Sequence, residues 1–321
     1  MDSSVRSDWL NSHPFSVQRS IPFIPYTTNR SLRDDGQDES AFSLLSRVLR
    51  NRTSFQLRQF STFRVVGRLG EGTTYIVEKG TPDEGDEFVA VKRAKFTIPK
   101  GVGKSTTMNT EEFSRLKSVL LEIEILAHPP LQSHPNITSL LGVAWDSESP
   151  GFAPMLIVEL ATFGSLCSLF ECHPLTDLEK RRLCLDVSCG LEVLQKCMIV
   201  HGDVKQDNVL VFPHPARRFI AKLTDFEHAL LEEDGFRYLG TPAYNAPEVH
   251  ERNVSTWTGQ SLEFGQLHLC DIFAFGLLVF EVFLSGQRYF LAEGGSELRA
   301  KIYGETESTS ISTLPALIED I

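Results

Sequence analysis

The sequence predicts an α+β protein of two lobes, in which a small β-rich lobe is followed by a larger, mainly helical one. From Thr62 the chain carries β-branched and aromatic runs separated by Gly, Pro and Asp turns, which is the pattern of β-strands. Beyond about residue 160, apolar residues recur every three or four positions, as helices require. The length of 321 residues suits two domains or one large two-lobed domain.

Residues 1–60 are expected to form a segment of low order ahead of the folded part. Residues 1 to about 40 mix Ser, Pro, Asn, Arg and Asp without strand or helix periodicity, as disordered tails do. Between Ala41 and Leu57 apolar residues alternate with arginines, which predicts a short basic amphipathic helix. This helix either packs on the first lobe or docks to a membrane or a partner, and the sequence does not distinguish the two. The folded domain is predicted over 61–321, with lobes at about 61–159 and 160–321.

The β-rich lobe is expected to contain strands, one helix and two further strands. The helix is predicted where Phe113, Leu116, Leu120, Ile123 and Ala127 repeat at helical spacing. The strand-like runs are 63–66, 75–77, 88–91, 137–145 and 154–159.

The second lobe is expected to be helical. Thr176 and Glu179 form a capping-box pattern ahead of a long apolar face, which predicts a helix start. The most apolar stretch, 272–280, lies between Asp271 and Glu281. It is shorter than the ~20 residues that a membrane span requires, so we expect a buried helix and no span.

Composition and net charge limit the classes of binding partner and the cellular compartment that we expect for this protein. The net charge of −11 argues against nucleic acid or an anionic membrane as the main partner. The six cysteines form no C-x-x-C pair, and reduced thiols suit the cytosol or the nucleus. The N-terminus contains acids and no apolar core, so we expect no secretory signal there. A cytoplasmic location is therefore expected, with a nuclear one as the alternative.

One short loop carries the most informative chemistry. Residues 201–208 read H-G-D-V-K-Q-D-N, which places a carboxylate, an ammonium and a carboxamide in the order D-x-K-x-x-N. A further carboxylate, Asp225, ends the apolar run L-T-D-F. Phosphoryl transfer needs an acid that accepts a hydroxyl proton, a cation for phosphate and oxygen ligands for Mg²⁺.

At these motifs the chain resembles the eukaryotic protein kinases of the serine/threonine type, whose catalytic loop reads H-R-D-x-x-x-x-N and whose metal motif reads D-F-G. The resemblance implies ATP as the phosphate donor, Mg²⁺ as the metal and a Ser or Thr hydroxyl of a protein as the acceptor. It implies that Asp203 accepts the hydroxyl proton and that Lys205 neutralises the γ-phosphate. It also implies that Asn208 and Asp225 hold Mg²⁺.

The first lobe extends the resemblance to the nucleotide site. Residues 70–77 read G-E-G-T-T-Y-I-V and match the kinase pattern G-x-G-x-x-G-x-V at Gly70, Gly72 and Val77, whereas Tyr75 replaces the third glycine. Ala90 and Lys92 belong to V-A-V-K, which resembles the kinase strand whose Lys contacts the α- and β-phosphates.

Two more positions follow from the resemblance. Glu122 begins the E-I-x-x-L pattern of the acid that positions the Lys, and Glu124 on a solvated helix face is the alternative. The segment V-E-L-A resembles the hinge between the lobes, which implies that adenine pairs with the backbone of Glu159 and Ala161.

The segment after the catalytic loop points to a protein substrate. Residues 240–248 read G-T-P-A-Y-N-A-P-E and match the kinase substrate-side loop G-T-x-x-Y-x-A-P-E. Thr241 together with Lys205 resembles the serine/threonine type. Asp271, in D-x-x-x-F-G, is expected to hydrogen-bond the backbone of the catalytic loop.

Besides Tyr75, three further departures from the family keep alternatives open. Gly202 replaces the Arg that receives an activation-loop phosphate, and the only hydroxyls between Asp225 and Ala246 are those of Tyr238, Thr241 and Tyr244. We therefore expect that activation-loop phosphorylation does not switch this protein, and that the acids at 232–234 supply fixed charge.

Glu227 replaces the Gly of D-F-G, and the chain ends about 50 residues after Asp271, which is early for the family. We therefore expect an incomplete second lobe with apolar surface for a partner chain. We also expect that Glu248, the Glu of A-P-E, lacks the Arg that pairs with this residue in the family. A pseudokinase scaffold is the first alternative. A small-molecule kinase of the aminoglycoside or choline type, which shares H-G-D and D-F-E, is the second.

Overall fold

The structure of the protein is a computed structural model, which describes residues 63–82, 87–99, 109–145, 151–152, 154–231, 238, 240–249 and 264–303. Within these residues a β-sheet of five strands is followed by a mainly helical part, so the α+β prediction is confirmed. The expected low-order segment with its basic helix, and the acids at 232–234, lie outside the described residues.

The first lobe is built on one antiparallel sheet with the strand order β1-β2-β3-β7-β5. The short strands β4 and β6 pair with each other apart from it. Among the described residues of this lobe the strands are β1 (Phe63–Glu71), β2 (Tyr75–Pro82), β3 (Val89–Ala94), β4 (Ile98–Pro99), β5 (Leu140–Trp145), β6 (Gly151–Phe152) and β7 (Pro154–Glu159).

Strand β3 is buried on both faces because a separate apolar cluster packs on each. Ala90 and Ala94 belong to the main core, and Val91 packs with Ile157 on the opposite face. Side chains alternate between faces along a strand, so Lys92 lies on the same face as Ala90 and Ala94. The strand therefore delivers one ammonium group into the interior between sheet and helix.

Helix α1 (Thr110–Leu126) covers that face of the sheet. Its start is fixed by a capping box, in which the Asn109 side chain accepts from the Glu112 N–H at 2.8 Å and the Glu112 carboxylate accepts from the Asn109 N–H at 3.1 Å. Most of the predicted face is buried, with Leu116 and Leu120 fully so, whereas Phe113 is half-buried. Burying each such side chain contributes about 1.5–3 kcal/mol. The long connection after α1 contains a further short helix, α2 (Pro129–Gln132).

The second lobe contains helices and short strand pairs. The capping box at Thr176 and Glu179 is present and begins α4, as predicted. The elements are α3 (Leu166–Cys172), α4 (Asp177–Lys196), β8 (Ile199–Val200), β9 (Val209–Pro213), β10 (Phe219–Leu223), β11 (Leu230–Leu231), α5 (Phe264–Phe283) and α6 (Gly295–Tyr303).

The strand predicted from Ile137 begins only at Leu140, because the residues before it pair with the other lobe. Ile137 forms a parallel bridge with Leu223 of β10. The Asn136 side chain donates to the Ala221 carbonyl at 2.9 Å, and the Thr138 N–H donates to the Leu223 carbonyl at 3.0 Å. These bonds fasten the end of the α1–α2 region to the second lobe.

Helix α5 is the central helix of the second lobe. By length and composition it could cross a bilayer, a criterion that core helices of soluble proteins also meet. Its Asp271 and Glu281 are buried and hydrogen-bonded to other parts of the protein. On its outer face Leu269 is 60% exposed and Ile272 is 52% exposed.

Candidate active site

Lys92 lies at the centre of a buried ionic cluster that joins the two lobes. Its Nζ is 2.6 Å from Glu122 Oε1 and 3.3 Å from Asp225 Oδ1. Burial alone would lower the pKa of Lys92, but the two carboxylates outweigh it and raise that pKa. Lys92 therefore carries a fixed positive charge. Glu124 does not lie on a solvated face as the alternative required, since it is fully buried.

Asp225 holds an unusual backbone conformation at the lobe boundary. Its φ of 67° lies in the left-handed region, which is uncommon outside glycine. The following Phe226 is fully buried against the His201 ring, with the ring centroids 5.1 Å apart. This packing holds the residue before it, so the Asp225 side chain, 35% exposed, faces Lys92.

Glu227 adds a third acid to the same region. Burial and the nearby carboxylates of Asp225 and Glu122 raise its pKa to about 7, against the attraction of Lys92. A further negative charge beside the Asp225 and Glu122 carboxylates would be only partly compensated by Lys92, so the neutral form of Glu227 is favoured up to about pH 7.

The glycine hairpin joins β1 and β2 above this cluster. Gly70 and Gly72 are exposed, and a Cβ at either position would meet nothing within 4 Å. Val77 pairs with Lys92 across the sheet and packs partly on the core. Tyr75, at the position of the third glycine, is only 2% exposed, and Lys92 Nζ lies 4.4 Å from the centroid of its ring.

The loop after β8 is organised around the Asp203 carboxylate. Its Oδ2 accepts from Lys205 Nζ at 2.7 Å and from Asn208 Nδ2 at 2.9 Å. Its Oδ1 accepts from the Thr241 N–H at 2.9 Å and from the Thr241 hydroxyl at 2.7 Å. Burial opposes ionisation of Asp203, but Lys205 and these hydrogen bonds prevail and lower its pKa. Asp203 is therefore held as a carboxylate.

Asp271 of α5 holds this loop from below, which confirms the role expected for it. One carboxylate oxygen accepts from the His201 N–H at 2.6 Å, and the other accepts from the Gly202 N–H at 3.0 Å. The Tyr238 hydroxyl donates to the same carboxylate at 3.1 Å. Hydrogen bonds to a charged, buried acceptor are among the stronger ones, so α5 fixes the backbone just before Asp203.

Gly202 is required by its surroundings. Its φ is 78°, and a Cβ there would lie 2.2 Å from the His228 carbonyl oxygen. The absence of the family's Arg at this position therefore accompanies a close backbone approach between the catalytic loop and the segment after Glu227. A side chain could enter only if one of the two moved.

The predicted hinge is tied to the second lobe through a side chain. The Glu159 carboxylate accepts from Lys222 Nζ at 2.7 and 2.8 Å and from the Ser139 N–H at 2.6 Å. The Glu159 N–H donates to the Ser139 carbonyl, and the Ala161 carbonyl accepts from the Gly164 N–H. Ala90 pairs with Val158 in the sheet beside this segment.

On the substrate side, a buried network connects three segments. Glu281 of α5 accepts from the Tyr244 hydroxyl at 2.9 and 3.0 Å and from Gln206 Nε2 at 2.7 Å. Arg288 donates to the Tyr244 hydroxyl and to Asp207, each at 2.7 Å. The network locks the catalytic loop against the loop that carries Thr241.

The donor set suits Mg²⁺ and a polyphosphate. Asn208 donates through its Nδ2 to Asp203, so its side-chain oxygen is the atom offered to a cation, as is the partly exposed carboxylate of Asp225. Mg²⁺ prefers such oxygen ligands. Glu122 Oε2 is buried without a hydrogen-bond partner among the described residues, and Lys92 supplies the cation that phosphate requires.

Sequence reasoning did not identify several residues of the site. Lys222, Glu281 and Arg288 join it through contacts across 63 to 81 positions of the chain, which no local pattern reveals. Tyr75 was visible as a replaced glycine, but the sequence did not indicate that its ring faces Lys92. Glu248 is exposed and makes no hydrogen bond or ion pair with another residue of the described part.

The sequence is similar to known kinase domains over most of its length. The family model described as the protein kinase domain matches residues 63–317. Leucine-rich repeat serine/threonine-protein kinase 1 of Mus musculus is 28% identical over 203 residues, which are 58% of this chain and 9% of that protein. A Pelle-like serine/threonine-protein kinase of Caenorhabditis elegans is 28% identical over 253 residues, or 72% of this chain and 44% of that protein.

An LRR receptor-like serine/threonine-protein kinase of Arabidopsis thaliana is 32% identical over 249 residues, which cover 74% of this chain and 19% of that protein. The chain thus spans less than half the length of each of these three relatives.

Proposed function

This chain belongs to the protein kinase family, and from that premise we propose that it transfers the γ-phosphate of ATP to a serine or threonine hydroxyl of a protein. The observation that carries the proposal is the position of Asp203, whose carboxylate contacts Lys205, Asn208 and Thr241 at 2.7–2.9 Å. These are the groups that an acceptor hydroxyl, a transferring phosphate and a metal would need side by side.

Each group has a distinct task in this proposal. Asp203, with a lowered pKa, is a weak base, so it orients the acceptor hydroxyl and takes its proton as the new O–P bond forms. Lys205 lies 2.7 Å from Asp203 and stabilises negative charge on the moving phosphoryl group. As the bond between the γ-phosphorus and the β-phosphate oxygen breaks, ADP leaves.

The opposite side of the cleft would hold the donor. Lys92, positioned by Glu122, would contact the α- and β-phosphates, and the hinge backbone at Glu159 and Ala161 would face adenine. Asn208 and Asp225 would hold Mg²⁺, which when bound neutralises phosphate charge and aligns the γ-phosphoryl group. The serine/threonine preference is supported by Thr241, whose hydroxyl donates to Asp203 and accepts from Lys205.

A nucleotide-binding scaffold without phosphotransfer is the second candidate. The Tyr75 ring beside Lys92 favours it, because the ring covers the ammonium that phosphates would contact. Glu227 favours it only above about pH 7, where its charge would oppose a triphosphate. A small-molecule kinase finds less support, since the G-T-P-A-Y segment is hydrogen-bonded directly to Asp203 through Thr241.

The test is transfer of radiolabelled phosphate from ATP, with Mg²⁺, to a panel of generic protein substrates by the full chain. We expect label on serine and threonine, and loss of that label in Asp203→Asn with nucleotide binding retained. Binding of nucleotide without transfer to any protein would favour the scaffold. Transfer to an aminoglycoside or choline, with none to protein, would establish the small-molecule alternative.

A further inference from the structure

Three groups of the described residues surround the Lys92 ammonium. An ammonium has three N–H donors. Two point towards carboxylates, Glu122 Oε1 at 2.6 Å and Asp225 Oδ1 at 3.3 Å. The third side is covered by the Tyr75 ring, whose centroid lies 4.4 Å from Nζ, within the range of a cation–π contact.

The Tyr75 ring is enclosed rather than merely near. The side chain is 2% exposed and belongs to the main apolar core of the protein. The backbone of Tyr75 pairs with Ala94 at the start of β2, so the hairpin turn places the ring over β3. Burial and the Glu122 carboxylate raise the pKa of its phenol, which stays neutral.

The polar end of the Tyr75 ring is oriented by the Glu122 carboxylate, which adds to burial in raising the pKa of the phenol, by its charge and by a side-chain hydrogen bond. That bond is not well formed, since neither the buried hydroxyl nor the buried Glu122 Oε2 has a partner at ordinary hydrogen-bond geometry within the described part of the chain. Buried polar groups without partners cost free energy. The ring is therefore held mainly by apolar packing and by Lys92, and its polar end adds only a poorly formed bond to Glu122.

We propose that Tyr75 is a gate for the phosphate subsite, and that it sets how strongly this protein distinguishes nucleotides from nucleosides. The proposal rests on the proposed function, which assigns the Lys92 ammonium to the α- and β-phosphates. A phosphate and the Tyr75 ring compete for the same side of that ammonium. A nucleoside, which has no phosphates, reaches the hinge without disturbing the ring.

The consequence is a selective penalty. Binding of a triphosphate must first break the contact of the ring with Lys92 and expose the ring, whereas binding of adenosine breaks nothing there. A glycine at position 75 would remove the competitor and leave the hinge unchanged. Phenylalanine would preserve the competitor, because the ring face and not the hydroxyl contacts Lys92.

The first experiment titrates the full chain with adenosine and, separately, with Mg²⁺ and a non-hydrolysable ATP analogue. From the strength of a partly buried cation–π contact, we expect Tyr75→Gly to bind the analogue about 3- to 30-fold more tightly than the wild type. Its adenosine affinity should be unchanged, and Tyr75→Phe should behave as the wild type. Thr73→Gly, an exposed position of the same hairpin, adds the same backbone freedom and should not reproduce the gain.

Three outcomes overturn the gate while leaving the proposed function in place. The first is equal affinity of the wild type and Tyr75→Gly for the analogue. The second is a parallel gain for adenosine and analogue, and the third is the same gain in Thr73→Gly, since each of these two would indicate general loosening. Failure of every variant to bind either ligand would instead overturn the proposed function, and the gate with it.

A second measurement avoids reliance on Tyr75→Gly, which removes a buried ring and could unfold the protein. The wild type is labelled with 3-fluorotyrosine, and the Tyr75 resonance is identified by its loss in Tyr75→Phe. Its solvent isotope shift, which reports exposure to water, should be small in the free protein and with adenosine. It should rise towards the value of an exposed tyrosine with the ATP analogue, and a Tyr75 resonance that stays buried with bound analogue would overturn the proposal.

Discussion

Replacing Gly202 by alanine should destabilise the protein, although it adds only one methyl group and moves the sequence towards the kinase family's usual side-chain-bearing residue. The φ of 78° at this position lies in the left-handed region. The added Cβ would lie 2.2 Å from the His228 carbonyl oxygen and 3.0 Å from its carbon. The obstacle is backbone rather than a flexible side chain, so it cannot be relieved by a rotamer change.

The magnitude follows from two separate costs. A non-glycine residue in the left-handed region loses about 1–2 kcal/mol. Forcing backbone segments apart at a packed site typically loses a further ~1–3 kcal/mol. Together these give a loss of about 2–5 kcal/mol in the free energy of unfolding. At about 2–4 °C per kcal/mol for a domain of this size, the melting temperature should fall by roughly 4–20 °C.

The assay is thermal and urea unfolding followed by circular dichroism. Gly67→Ala is the matched control, since that glycine has no positive φ and a Cβ there would meet nothing within 4 Å. Gly202→Arg, which restores the family's H-R-D, should lose at least as much stability as Gly202→Ala. If Gly202→Ala melted at the temperature of Gly67→Ala, the argument from close backbone approach would be wrong.

Three further predictions concern the ionic groups. Glu122→Gln should weaken binding of the ATP analogue by about tenfold, equivalent to ~1.4 kcal/mol, because Lys92 loses the carboxylate that holds it. The control Glu124→Gln changes an equally buried residue and should leave the affinity unchanged. Equal losses of affinity in the two variants, measured by calorimetry, would contradict this prediction. The free energy of unfolding should fall as the pH rises above the ordinary tyrosine pKa of 10.0. Burial raises the pKa of the described tyrosines in the folded protein, so above that pH only the unfolded chain loses those protons. Tyrosinate absorbance that rises well before the protein unfolds would contradict this prediction. The tyrosines concerned are Tyr75, Tyr238, Tyr244, Tyr289 and Tyr303. Phosphatase treatment should leave the catalytic rate unchanged, since the hydroxyls of Tyr238, Thr241 and Tyr244 are each bonded to a buried carboxylate; a large drop in rate would refute independence from activation-loop phosphorylation.

Local patterns predicted much of the fold because their causes are local. The capping box at Thr176 and Glu179 and the apolar face of α1 are spacings within one helix, and both were found. The start of β5 was misjudged because Ile137 pairs with Leu223, a contact that depends on the assembled lobes. The alternation of side chains along a strand predicts that Lys92 and Ala90 share one face of β3. Only the fold shows that helix α1 covers this face.

The site itself required more than spacing. Lys92 and Asp225 are 133 positions apart, and nothing in their local sequences indicates that their side chains meet at 3.3 Å. The resemblance to kinases supplied that connection for residues that match the family. The resemblance predicted no contact for Tyr75, where the chain departs from the family. It predicted none for Arg288 either, since this residue lies outside the kinase motifs. Departures and unmatched positions are therefore where the structure adds most.

The proposed function requires that Lys92, Asn208 and Asp225 surround one nucleotide and its metal. The most direct measurement is an experimental structure of the full chain with Mg²⁺ and a non-hydrolysable ATP analogue. It should show phosphate oxygens at Lys92 Nζ, metal at the oxygens of Asn208 and Asp225, and adenine against the backbone of Glu159 and Ala161. A nucleotide bound elsewhere, with Lys92 contacting no phosphate, would contradict the account.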